Sequence, residues 1–163
     1  MLKKLLSVAL AAIMVLGMST SVFAAENRDV LTPIPPSSIG IQPDGAKPPS
    51  SSADIHNLSV SEYNYQVEDV GYRVYTSKWL TGASSMDVLV DNWTILESYG
   101  GTSNIVTVRV FNSSKKEVTS KKITISHGYG TATFTGLTSS AKYYVCFEVP
   151  TNSNRYSFDG NIS

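Results

Sequence analysis

From Ile55 to the C-terminus the chain repeats one pattern, in which β-branched or aromatic residues recur at every second position. Side chains on a strand point alternately to its two faces, so such a run buries one face and wets the other. Tyr63, Tyr65 and Val67 share one parity, as do Tyr72, Val74 and Thr76. Met86, Val88 and Val90 form another set, interleaved with Asp87 and Asp91, and Val106, Val108 and Val110 alternate with Thr107 and Arg109. Turn-forming stretches punctuate these runs, notably Asn112-Ser113-Ser114-Lys115-Lys116 and the pair Gly128 and Gly130. No stretch after residue 25 carries a helical period. The pattern predicts an all-β chain, an antiparallel β-sandwich of about seven to eight short strands.

Such a domain must stand without staples. Cys146 is the single cysteine, so no intrachain disulfide can form. Residues 55–163 are numerous enough to bury an adequate core unaided, and one compact domain is expected over that span.

The segment with the most specific spacing is Thr133-Phe134-Thr135-Gly136-Leu137-Thr138-Ser139-Ser140-Ala141-Lys142-Tyr143-Tyr144-Val145-Cys146-Phe147-Glu148-Val149. Its Leu137 and Tyr143, six residues apart, resemble the corner between two strands of fibronectin type III and other immunoglobulin-like sandwiches of secreted proteins. The resemblance implies that Tyr143 packs inward and that its hydroxyl bonds upstream backbone. It also implies strands over 72–80, 86–96, 104–112, 117–125, 130–135, 142–149 and 155–162. On parity, Tyr143, Val145, Phe147 and Val149 make an apolar face, with Tyr144, Cys146 and Glu148 on the other. The jelly-roll sandwich appended to secreted bacterial peptidases ends with a similar Tyr-Tyr-Val strand and is the alternative topology. Trp93 has the opposite parity to Met86, Val88 and Val90, so it points inward only if a bulge intervenes.

The N-terminal quarter has a different character. Lys3 and Lys4 precede an uncharged, almost wholly apolar run from Leu5 to Met18, and Val22-Phe23-Ala24 follows with small or compact residues at the recognition positions. These are the parts of a secretory signal peptide over 1–24, cleaved near Ala24. The run is shorter than the roughly 20 residues that span a bilayer, which argues against stable membrane insertion. Residues 25–54 hold every proline except Pro150, together with serine runs, and read as a disordered Pro/Ser-rich linker ahead of a domain over 55–163.

Losing Lys3 and Lys4 turns a balance of 13 basic and 13 acidic residues into a net charge of −2. That leaves no electrostatic steer toward nucleic acid.

Candidate chemistry is sparse. Cys146 with His127 or His56 would make a nucleophile pair, but a mid-strand thiol lacks the setting that lowers its pKa. If Cys146 faces outward, it offers a disulfide-linked dimer in place of the expected monomer. Glu68 and Asp69 alternate faces, and Asp87 and Asp91 lie two pleats apart, an arrangement unlike the carboxyl pair of a glycosidase. No zinc or EF-hand spacing occurs, although Asp87, Asp91 and Asp159 are oxygen donors of the type that suits calcium. No cofactor and no catalytic residue are assigned.

Recognition through exposed aromatics is the better-supported chemistry, because the apolar faces of sugar rings stack on Trp and Tyr. Trp93, Trp79, Tyr99, Tyr129 and Tyr156 lie near expected strand ends or loops, with Trp93 set off the core face. Lys115, Lys116, Lys121 and Lys122 form a basic hairpin that reads as a solvated edge, or as a contact for an anionic wall polymer. The expected protein is a secreted, extracellular, non-catalytic interaction module acting at the cell envelope or beyond it. Cell-wall or extracellular polysaccharide, or another protein, is its expected partner. A carbohydrate-binding protein is the second reading and a small secreted hydrolase the third.

Overall fold

The computed structural model describes residues 27–33 and 45–163. The signal-peptide reading of residues 1–24 and the middle of the expected linker lie outside the described residues. Among the described residues there is no helix.

Eleven strands form two sheets. They are β1 (Asp29–Leu31), β2 (Ile55–Asn57), β3 (Tyr63–Val70), β4 (Arg73–Tyr75), β5 (Trp79–Thr81), β6 (Ser85–Glu97), β7 (Ile105–Asn112), β8 (Glu117–Thr124), β9 (Gly130–Thr135), β10 (Tyr143–Glu148) and β11 (Arg155–Ile162). One sheet runs β1-β3-β11-β6-β9; the other runs β2-β5-β10-β7-β8, with β4 also paired to β10. The expected seven or eight antiparallel strands are therefore corrected to eleven in mixed sheets, since β1 joins β3 and β2 joins β5 in parallel. From β3 onward the chain crosses between the sheets at every connection except β4–β5 and β7–β8, whose strands stay in the second sheet.

The alternation in the sequence builds the space between the layers. Tyr63, Tyr65, Val67, Met86, Val88 and Val90 from the first sheet meet Val106, Val108, Val110, Tyr143, Val145 and Phe147 from the second in one buried cluster. Tyr65 reaches across to Phe147 with ring centroids 4.6 Å apart, and its hydroxyl donates to the Leu89 carbonyl at 2.6 Å. A buried ring thus keeps a partner for its polar tip. Each fully buried aromatic or aliphatic side chain here contributes about 1.5–3 kcal/mol of transfer free energy.

The stretch read as one strand over 72–80 is broken. β4 and β5 both lie along β10, and Thr76 bridges the gap between them. Its amide donates to the Val145 carbonyl at 2.9 Å, while its hydroxyl accepts from the Val145 amide at 3.2 Å and donates to the Lys78 carbonyl. One threonine side chain supplies the acceptor that a continuous strand would have supplied from its backbone.

The proline-rich segment is not all linker. β1 seals the edge of the first sheet and buries Leu31 completely. Asp29 is anchored by Ser77 Oγ at 2.6 Å and by Lys78 Nζ at 3.0 Å. Residues 45–54 cross the outer face of the second sheet, where Ser50 accepts from Trp79 Nε1 at 2.8 Å and Ala53 packs on a second cluster of Tyr75, Trp79, Tyr144 and Cys146. Gly45 sits between Leu31 and Tyr75 with φ of 84°, its carbonyl accepting from the Tyr75 amide. A Cβ there would lie 2.9 Å from Leu31 Cβ and from the Tyr75 carbonyl, so the position demands glycine.

Candidate functional site

The corner residues Leu137 and Tyr143 are both buried, and the Tyr143 hydroxyl accepts a hydrogen bond from the Thr138 amide at 2.8 Å. This bond closes the turn between β9 and β10. Their role is structural.

The aromatic residues expected to be exposed divide into two groups. Trp79 is 5% exposed and lies under residues 50–54. Tyr156 is fully buried, its hydroxyl bonded to Asn152. Trp93 is half-buried and packs on the core, because the pairing of β6 with β11 slips between Asp91 and Thr94. Asn92, with φ of 52°, is the extra residue of that bulge, and it returns Trp93 to the interior face. Trp79 and Tyr156 are corrections, with no ring face open to a ligand, and Trp93 is turned from the outer face toward the core with part of its surface still exposed. Tyr99 and Tyr129 are exposed, at 74% and 51%.

Cys146 also departs from expectation. Residues 45–54 and the neighbouring aromatics cover what would have been an outer face, leaving the thiol 1% exposed. Burial, helped by the Glu148 charge, pushes its pKa up to about 12, the opposite of an activated nucleophile. A linked dimer has no accessible sulfur to form it. His56 Nε2 lies 2.8 Å from the Ser61 carbonyl and His127 Nδ1 lies 3.0 Å from Ser126 Oγ, so neither imidazole serves the thiol.

The three aspartates considered for calcium are committed elsewhere. Asp159 accepts from Arg28 and Asn92, Asp87 from Thr133, and Asp91 from the Asn92 amide. No group of three or more His, Cys, Asp or Glu placed to hold a metal ion occurs among the described residues. Of the hairpin lysines, Lys121 donates to the Thr133 carbonyl, while Lys115 and Lys116 stand at the exposed tip.

The surface with the most varied chemistry lies at one end of the two layers, where the β3–β4, β6–β7 and β10–β11 connections meet. Tyr72, half exposed, forms a ridge there between two depressions. One, of about 460 Å³, is lined by Gly71, Arg73, Ser153, Asn154 and Arg155 beside Tyr72. The other, of about 310 Å³, includes Ile105, Thr107, Lys122, Glu148 and Pro150.

Backbone contacts fix this end. The Tyr72 carbonyl accepts from the Val149 amide at 2.8 Å. Asn154 is fully buried; its Oδ1 accepts from the amides of Tyr99 and Gly100 at 2.7 and 2.9 Å, and its Nδ2 donates to the Gly101 carbonyl at 2.6 Å. One amide side chain thus joins two loops, each of whose polar groups would otherwise be costly to bury. Gly100 lies so close to Asn152 that a Cβ would fall 1.9 Å from its carbonyl oxygen.

On the outer face of the second sheet, Arg73, Glu148, Thr107 and Lys122 form one cross-strand row. Glu148 turns to Arg109 Nε at 2.8 Å rather than to Arg73. The Arg73 guanidinium instead lies 4.9 Å from the Tyr72 ring centroid and 5.7 Å from that of Tyr75. Tyr72 and Arg73 were not among the residues singled out from sequence. The signal was there, in an arginine flanked by Tyr72 and Tyr75 immediately after Val70-Gly71, but strand parity placed Tyr72 with Val74 and Thr76. No protein-family model matches the chain, and a comparison with curated proteins gives no significant match.

Proposed function

We propose that this chain is a secreted, non-catalytic binding module that works at the cell envelope or outside the cell through the loop end around Tyr72. The observation that carries the reading is the half-exposed Tyr72 ring standing between two depressions on turns fixed by hydrogen bonds. A rigid scaffold with chemistry concentrated on its loops is the usual construction of a recognition surface. The charged N-terminus, apolar run and small residues before Ala24 support export.

The strand order favours the jelly-roll alternative over the fibronectin-like one. Immunoglobulin-type sandwiches place their last two strands side by side in one sheet, whereas β10 and β11 belong to different sheets. A chain that crosses between layers at every connection from β3 onward except β4–β5 and β7–β8 fits a double Greek key.

The test is retention of the purified mature protein on isolated cell wall and on insoluble polysaccharides, with Tyr72→Ala beside it. Retention that weakens in the variant is the expected result. Absence of retention on every matrix, or equal retention of both proteins, would overturn the assignment of this end as the binding surface.

A further inference from the structure

We infer that the Arg73–Arg155 depression binds a carboxylate-bearing sugar, so that the ligand of the module is an acidic, uronate-type polysaccharide. The inference rests on the binding-module reading and names its substrate class.

The lining of the depression contains two guanidinium groups and no carboxylate. The two arginines are not equivalent. Arg155 is held in place by Asp69, with Nε 2.8 Å from the carboxylate and Nη2 donating to the Asp69 carbonyl. Arg73 has no carboxylate within ion-pair distance among the described residues. It rests over the rings of Tyr72 and Tyr75 instead. A cation–π contact occupies no N–H acceptor, so the Arg73 guanidinium keeps donors that can meet a carboxylate in a fork. An exposed guanidinium without a carboxylate partner can receive an anion, and Arg155, whose own charge is met by Asp69, lines the same depression.

Tyr72 supplies the second half of the chemistry. Its half-exposed ring borders the depression and offers an apolar face to the C–H side of a pyranose. Ser153, exposed, adds a hydroxyl to the lining. Ser153 in the lining and Asp69, the partner of Arg155, both hold left-handed backbone, with φ of 66° and 51°. Strained conformations at non-glycine residues gather where a turn is held for a purpose. An extended peptide fits less well. The strand beside the depression, β4, is paired to β10, and Gly45 already takes the Tyr75 amide. A peptide adding to this edge would have to displace Gly45 from the Tyr75 amide.

Affinity electrophoresis of the mature protein in polygalacturonate, and in the same polymer fully methyl-esterified, tests the inference. Esterification removes the charge and keeps the sugar backbone. Binding to polygalacturonate is expected to weaken about tenfold or more on esterification and to a similar degree in Arg73→Ala. Arg73→Lys should recover only part of it, and Lys115→Ala/Lys116→Ala at the opposite end should leave it unchanged. Equal binding of both polymers with Tyr72→Ala still defective would overturn the acidic-sugar inference and leave the binding module standing. Equally tight, Arg73-dependent binding of polyphosphate would replace a sugar site by a general polyanion site. Loss in the lysine variant as large as in Arg73→Ala would overturn the location. Failure to bind polygalacturonate, while cell wall is still retained, would overturn the inference alone; failure on cell wall and every polysaccharide would overturn both readings.

Discussion

The indole of Trp93 lies nearly parallel to the ring of Phe158, with centroids 5.3 Å apart and planes 29° from each other. Tyr156 closes on it from another side at 4.8 Å. Trp93 is therefore part of the core edge and belongs to stability. Trp93→Ala should destabilise the protein by about 3 kcal/mol, near the lower end for deleting a large aromatic side chain. Trp93→Phe should cost less than about 1.5 kcal/mol. Its Nε1 is covered without a hydrogen-bond partner among the described residues, so phenylalanine removes an unmatched donor along with some packing. Urea titration of both variants checks the pair. A Phe variant as damaged as the Ala variant would contradict it.

The Tyr143 hydroxyl and the Thr138 amide give a second test, separable into packing and polar parts. Tyr143→Ala should cost roughly 3–5 kcal/mol through the lost ring. Tyr143→Phe keeps the ring but leaves the Thr138 amide short of its acceptor, for about 1 kcal/mol. Denaturant midpoints at unchanged slope provide the comparison.

Acid should loosen the β1 arm. Partial burial disfavours the Asp29 carboxylate, but hydrogen bonds from Ser77 and Lys78 and the Lys78 charge outweigh it and hold the carboxyl below its usual value of 3.8. A carboxyl depressed on folding stabilises the native state above its unfolded pKa, and that contribution is lost as the pH falls through the folded value. Above about pH 5 the protection of the arm should be indifferent to pH, and below about pH 4 the protection factors of its amides, corrected for intrinsic exchange, should fall. Hydrogen exchange at Val30 and Leu31 against pH reads this directly. Asp29→Asn should flatten the profile.

Cys146 should resist alkylation in the native protein between about pH 7 and 9, because burial holds it as the thiol with a pKa of about 12. The same shift has a stability sign. The contribution is complete below the unfolded thiol pKa of about 8.5 and declines as the pH rises toward the folded value. Iodoacetamide labelling followed by mass spectrometry should show slow modification that accelerates sharply in denaturant. Rapid native labelling would place the thiol outside the covered cluster.

Period-two alternation made the all-β class and most strand positions readable, since each strand needs only its own residues to display a buried face. Trp93 shows how far such a pattern reaches. Its parity signalled that a bulge was needed to turn it inward, but not that Asn92 would supply one by adopting φ of 52°. Cys146 and Tyr144 show where the pattern ends. Alternation identifies two faces, whereas the covering of the second face comes from residues 45–54, whose prolines look like linker when read alone. Tyr72 was misplaced for a related reason. It shares parity with Val74, yet it belongs to the turn before β4, and a turn releases a side chain from the alternation. The loop end could not be read from spacing at all. Asn154 and Tyr99 are far apart along the chain and meet only through the fold.

The alternation of successive strands between the two layers also governs how the chain reaches its native state. Apart from the β7–β8 hairpin, a long strand finds its neighbours only after distant parts of the chain have come together, so closing entropy is spent before most pairings form. Such topologies fold slowly. The connectivity that ties the two layers into one cooperative unit thus also defers most of its stability to the last stages of folding.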